Sequence, residues 1–179
     1  FSDEAEVVAL CSKLAEFDAV LFMHLRSEST NVLSAAEEVL EASRIAGSRL
    51  HISHIKTAGP ENWHLTPALL EMVERYQQSG VTVTADLHPY VAGSTMATVF
   101  LPGWFLDGGN DAVIARLRSA PAVERARQQM LHDTASWDNW WRFSQGWSGI
   151  VFAEVHDRSL LGRPVDQLLR AHGIHDTES

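Results

Sequence analysis

Three short apolar runs each end near a histidine, and these histidines, His24, His54 and His88, fall 30 and 34 residues apart. A strand, a helix and two short connections need roughly 30 residues. A polar residue returning at this interval therefore marks successive strand ends in a repeated βα unit. In barrels built from such units, chemistry gathers on the rim formed by the carboxyl ends of the strands.

The intervening residues support that reading. Val7, Val8, Cys11, Leu14 and Phe17 follow the three-to-four spacing of one helix face within residues 3–17. Ala19 to Met23 is continuously apolar, the pattern of a parallel strand buried on both faces, and it stops at His24. A second helix is expected over residues 32–46, with Gly47 suited to a left-handed carboxyl-terminal cap. Leu50 to Ser53 forms a short strand leading into His54, and Lys56, Gly59 and Pro60 signal a polar loop. Thr66 reads as an N-cap before Pro67, and Gly80 closes that helix. Val81 to Ala85 then runs into Asp86, and Leu87-His88-Pro89-Tyr90 turns the chain away. The first half reads αβαβαβ.

Beyond residue 90 the character changes. Gly93, Gly103, Gly108 and Gly109 cluster around Pro102, and Trp137, Trp140, Trp141 and Trp147 gather where periodicity weakens. Helices are expected at residues 112–117, 123–132 and 165–171, with a strand at 149–155. The fold expected is α/β: a partial (β/α)8 TIM-like barrel over residues 1–90, followed by an inserted α+β subdomain over residues 91–179 whose core is the tryptophan group. A whole barrel needs roughly 250 residues, and this chain opens on Phe1. An incomplete chain is the expectation.

Composition narrows the partners. With 23 acidic and 14 basic residues the formal charge is −9, and no basic cluster interleaved with aromatics offers a footprint for nucleic acid. No apolar run approaches the roughly 20 residues that cross a bilayer, and no leader opens the chain. A soluble, cytoplasmic protein is expected, with a signal ahead of Phe1 left open. Cys11 is the only cysteine; it forms no internal disulfide and reads as a small apolar core residue.

Alternation along a strand would aim His24 with Arg26, His54 with Lys56 and Asp86 with His88 into one mouth. Neutral imidazoles suit zinc, and nearby cations suit a substrate carboxylate. Metal-assisted hydrolysis is the chemistry such a mouth supports. The plainer alternative makes each histidine a strand-end cap, Lys56 and Arg26 solvated loop charges, and Asp86 a brace for its turn. His51, His64, His132, His156, His172 and His175 lie outside the strand-end pattern and read as surface or interdomain side chains.

HLRSE at 24–28, AGPENW at 58–63, ISHIK at 52–56, ADLHPYVAGST at 85–95 and GWSGIVFAEV at 146–155 together resemble the D-aminoacylase, or N-acyl-D-amino-acid deacylase, branch of the amidohydrolase superfamily. The resemblance implies that the chain is a central segment, about strands 5 to 7 of the barrel. It implies His24 and His54 as metal ligands for one or two zinc ions, and Lys56 as the holder of the substrate's carboxylate, with Ser94, Arg26, His88 and Tyr90 as further substrate contacts. The family usually has Tyr-Pro-Tyr where this chain has His88-Pro89-Tyr90. No residue here matches the family's general-base aspartate, its His-x-His pair or its bridging ligand. The implied substrate is a small N-acyl-D-amino acid, cleaved to a D-amino acid and a carboxylate, with the isolated segment inactive and prone to self-association or to complementation by missing barrel segments. A cyclic-amide hydrolase of the hydantoinase or dihydroorotase kind, and a non-catalytic binding or scaffold remnant, are the rival readings.

Overall fold

Asp3 starts the first helix by accepting the Glu6 N–H at 2.8 Å, which satisfies one of the unpaired amides of the opening turn. In the computed structural model, which describes residues 3–133 and 136–174, the first half runs α1 (Glu4–Ala15), β1 (Val20–Met23), α2 (Val32–Ala46), β2 (Arg49–Ile52), α3 (Thr66–Gln78) and β3 (Val83–Ala85). The three strands are parallel in the order β1-β2-β3, with Leu21 beside Leu50 and Leu50 beside Val83. Helices therefore carry the chain back between neighbouring strands, as a parallel sheet requires.

Strand alternation decides where the core sits. Leu50, Ile52 and Val83 pack with Val32, Ala36, Val39 and Leu40 of α2 and Leu69, Met72 and Val73 of α3. Val7 and Cys11 of α1 close a smaller cluster with Ala42 and Leu21. Cys11 is fully buried and free of any disulfide, matching the small apolar core residue expected. The opposite face carries Phe22, His51 and Thr84, and Phe22 is 68% exposed. The double-sided burial expected for the first strand is thus corrected: within the described residues it is covered on its helix side.

Two helix ends show local chemistry. Gly47 caps α2 at φ 68°, a left-handed conformation that costs glycine little. Thr66 is not the N-cap expected of it. A 3-10 turn over Pro60–Leu65 runs directly into α3, so Thr66 already has helical dihedrals and its hydroxyl pairs with that of Thr57 at 2.7 Å.

The chain divides into two compact units between Tyr90 and Val91. The second contains α4 (Gly103–Leu106), α5 (Gly109–Leu117), α6 (Ala120–His132), α7 (Trp140–Phe143) and α8 (Val165–Ala171). Its expected strand at 149–155 reduces to two isolated bridges, Val151 with Pro164 and Phe152 with Leu161. The core differs from the tryptophan core expected: Phe105, Pro102, Asn139, Ala126 and Leu168 are buried, while Trp137, Trp140, Trp141 and Trp147 are half-buried around them. Asn139 earns its interior place by donating to the Met130 carbonyl at 2.6 Å and capping α7.

Candidate metal-binding site

His24 follows the last residue of β1, and His54 lies just past β2, so the parallel register brings both to the same sheet end. Ser53 N–H donates to the Met23 carbonyl at 2.9 Å, which extends the pairing to the edge of the site. His54 then leaves the strand at φ 41°, a left-handed conformation uncommon for a residue with a side chain. Its backbone N–H donates to Asp86 Oδ1 at 2.7 Å, and Ile55 N–H to the Asp86 carbonyl at 2.9 Å. These bonds from the end of β3 hold the turn that aims the His54 ring.

The two imidazoles converge. His24 Nδ1 lies 2.5 Å from His54 Nε2, with the rings stacked at 28° and their centroids 4.6 Å apart. On the other side of His54, Nδ1 lies 2.8 Å from Glu28 Oε1, while Lys56 Nζ lies 2.7 Å from Glu28 Oε2. Lys56 also donates to the His54 carbonyl at 3.1 Å and stands 2.8 Å from His54 Nδ1. An ammonium only donates, so Lys56 gives a hydrogen bond to the His54 carbonyl and to Nδ1, while the Glu28 carboxylate lies at ion-pair distance from both groups.

Glu28 reaches this position because the segment after β1 is an interior loop. Leu25, Ser27, Glu28 and Ser29 are all buried, and the Ala58 N–H donates to the Glu28 carbonyl at 2.5 Å. Asn62, also buried, donates to the Ala58 carbonyl at 2.7 Å and accepts from Thr30 at 3.3 Å. The loops after β1 and β2 are thereby tied together beneath the histidines.

A second network lies on the open face of the sheet. His51 Nε2–H donates to Asp86 Oδ2 at 2.8 Å, leaving Nδ1 to accept from the Thr84 hydroxyl at 2.7 Å. The His51 bond, then the His54 amide, hold the Asp86 carboxyl below the usual carboxylate range. His51 is thus no stray surface or interdomain histidine, contrary to the sequence expectation. Its place three residues before His54, on the strand face that alternation turns away from the helices, was the signal for it.

Of the expected site residues, His24, His54 and Lys56 come together. Arg26 does not join them: its Nε pairs with Glu38 of α2 at 2.6 Å. His88 and Tyr90 are exposed at the end of the first unit, and Ser94 is exposed in the second. Asp86 braces the turn, the plainer of its two readings. Glu28 was not singled out from sequence. His175 lies outside the described residues.

Zinc prefers nitrogen donors of this kind, and once the proton shared between the facing nitrogens is displaced both carry a lone pair. Two nitrogens on one tetrahedral zinc stand about 3.3 Å apart, so a small parting of the rings would admit the ion. On the far side of His54 from His24, the Glu28 carboxylate stands 2.8 Å from Nδ1. The pair fits part of a metal site. Among the described residues no group of three or more His, Cys, Asp or Glu side chains is placed to hold an ion.

No protein-family model matches the chain. An N-acyl-D-glutamate deacylase of Alcaligenes xylosoxydans xylosoxydans is 34% identical over 95 residues, covering 53% of this chain and 20% of that protein. Its relatives are D-aminoacylases of the amidohydrolase superfamily. A solved D-aminoacylase with a binuclear metal centre is 31% identical, covers 56% of this chain and 22% of its own, and superposes with a TM-score of 0.50. An N-acyl-D-glutamate deacylase of Bordetella bronchiseptica, solved with zinc and a phosphonate inhibitor that mimics the tetrahedral intermediate, is 35% identical over 50% of this chain and 19% of its own, with a TM-score of 0.49. The chain spans about a fifth of the length of the curated relatives it matches. No described helix is long and apolar enough to cross a membrane.

Proposed function

We propose that residues 1–90 form three βα units of an amidohydrolase barrel, about its fifth to seventh strands, that residues 91–179 are a subdomain inserted after them, and that the segment contributes to a zinc-dependent hydrolase of N-acyl-D-amino acids. The observation carrying the reading is the convergence of His24 Nδ1 on His54 Nε2 at the carboxyl end of a parallel sheet, in a chain whose relatives are metal-containing deacylases of linear amides.

Zinc in such an enzyme supplies a Lewis acid for the amide carbonyl and lowers the pKa of water. His24 and His54 would hold it. Glu28 lies at ion-pair distance from both His54 and Lys56, and Asp86 fixes the backbone turn beneath that ring. Lys56 is the cation beside the histidines, and its ammonium is the group suited to the carboxylate of an N-acyl-D-amino acid. To meet that carboxylate it shares its donors with Glu28, to which it is already paired. Arg26 pairs with Glu38 of α2 and would meet a substrate only by sharing its donors with that carboxylate. His88, Tyr90 and Ser94 supply the remaining proposed substrate contacts from the segment after β3. The general base lies outside this set, so the 179-residue chain alone is expected to release no amino acid.

A chimera tests the reading. Residues 1–90 would replace the matching segment of the N-acyl-D-glutamate deacylase. Zinc uptake and D-glutamate release, both lost with His54→Ala, are the expected results. A folded chimera that takes up no metal would overturn the assignment.

A further inference from the structure

Phe22, His51 and Thr84 form one rung of the sheet, paired across β1, β2 and β3. On that rung the His51 imidazole is held from three sides. Its ring lies against Phe22 with centroids 4.5 Å apart, Nδ1 is 2.7 Å from the Thr84 hydroxyl, and Nε2 is 2.8 Å from Asp86 Oδ2. The side chain is 16% exposed, although Phe22 beside it stands open. Nothing in the metal reading uses this ring.

Asp86 grips the turn after β2 in two ways. Its backbone donates to the Ile52 carbonyl at 3.2 Å and accepts from the Ile55 N–H at 2.9 Å, bonds that continue the strand pairing. Its side chain accepts the His54 N–H through Oδ1. That second grip depends on the rotamer of a carboxylate that is 58% exposed and open to water. Holding Oδ2 restrains the rotamer, and His51 is the side chain that holds it. The turn needs the restraint, because His54 adopts φ 41° and a strained backbone persists only where its surroundings over-determine it.

We infer that His51 is a positioning residue for the proposed metal ligand His54: it fixes the Asp86 carboxylate, which fixes the left-handed turn that presents the His54 ring. This rests on the metal reading above and deepens it. The action is indirect, running from the His51 ring through the two oxygens of Asp86 to the His54 amide. It depends on a donor at Nε2 rather than on ring charge, since a neutral imidazole already makes that bond and the Thr84 hydroxyl can donate or accept.

The test combines hydrogen exchange at the His54 amide with zinc titrations of the 179-residue chain, in the parent, His51→Leu, His51→Gln and His54→Ala. Leucine keeps apolar bulk without a donor, whereas the glutamine amide can still donate to Asp86. His51→Leu is expected to exchange about tenfold faster at His54, with the amides of α2 unchanged, and to bind zinc about tenfold more weakly. His51→Gln should return both most of the way to the parent. Parental exchange or parental zinc affinity in His51→Leu would overturn the inference, and so would a His51→Gln variant that behaves like His51→Leu. Nitrogen-15 NMR of the parent needs no variant to fold: a proton on His51 Nε2 is expected, and its absence would overturn the inference. If His54→Ala bound zinc as the parent does, the metal reading itself would fall; loss of zinc in His54→Ala with no effect of His51→Leu would remove only the role of His51.

Discussion

Asp86 Oδ1 accepts the backbone N–H of His54 at 2.7 Å, across a turn in which His54 adopts φ 41°. A side chain at the end of β3 therefore sets the backbone of a proposed ligand at the end of β2. The same carboxylate is held by His51, so the sheet's open face and its carboxyl end form one polar network.

Asp86→Ala should loosen that turn while leaving the helix-side core intact. Hydrogen exchange at the His54 amide is expected to accelerate by about tenfold or more, with amides of α2 unchanged. Equal protection at His54 in variant and parent would show that the turn holds without Asp86.

Ile52→Ala probes the layer beneath the site. Ile52 is fully buried between β2 and the helices, and truncation at such a site costs about 2–5 kcal/mol. Denaturant unfolding followed by circular dichroism measures it. A loss well under 1 kcal/mol would contradict the packing described.

Gly47→Ala tests the cap of α2. At φ 68° a Cβ meets no neighbouring atom, so the penalty is conformational rather than steric with respect to packing. A destabilisation of about 1 kcal/mol is expected, read from the same unfolding curves. An unchanged midpoint would rule out the left-handed cap.

Glu124 gives the pH prediction. Arg127, then Gln128, hold its carboxyl down to about 2. A folded pKa below the unfolded value means that this contribution is complete above the ordinary glutamate range near 4.3 and is lost as pH falls through about 2. Carbon-13 NMR should place the Glu124 midpoint near the latter value, and Arg127→Ala should raise it. A midpoint in the ordinary range in the parent would refute the pairing.

How much of this was legible in the sequence follows from the range of the interactions. Gly47, Gly80 and the apolar runs ending at His24 and His54 are local signals, and the helices and parallel strands stand where they indicate. Pairings across loops are another matter. Arg26 shares its strand end with His24, but Glu38 of α2 captures it, and strand alternation holds no information about a partner on the following helix. Glu28 was passed over because nothing in HLRSE says that its loop would be buried and bonded to Ala58. His51 was set aside for lying off the strand-end rhythm, although its face was readable. Beyond Tyr90, half-buried tryptophans around Asn139 and Phe105 replaced the aromatic core expected, because a large indole often keeps part of its surface in contact with water.

The central claim is that His24 and His54 share one metal ion. Zinc X-ray absorption on the untagged chain, beside a His24→Ala/His54→Ala double variant, tests it most directly. The account predicts zinc bound through two imidazole nitrogens at about 2.0–2.1 Å in the parent and lost in the double variant. Zinc retained in the double variant with the same imidazole count would contradict it.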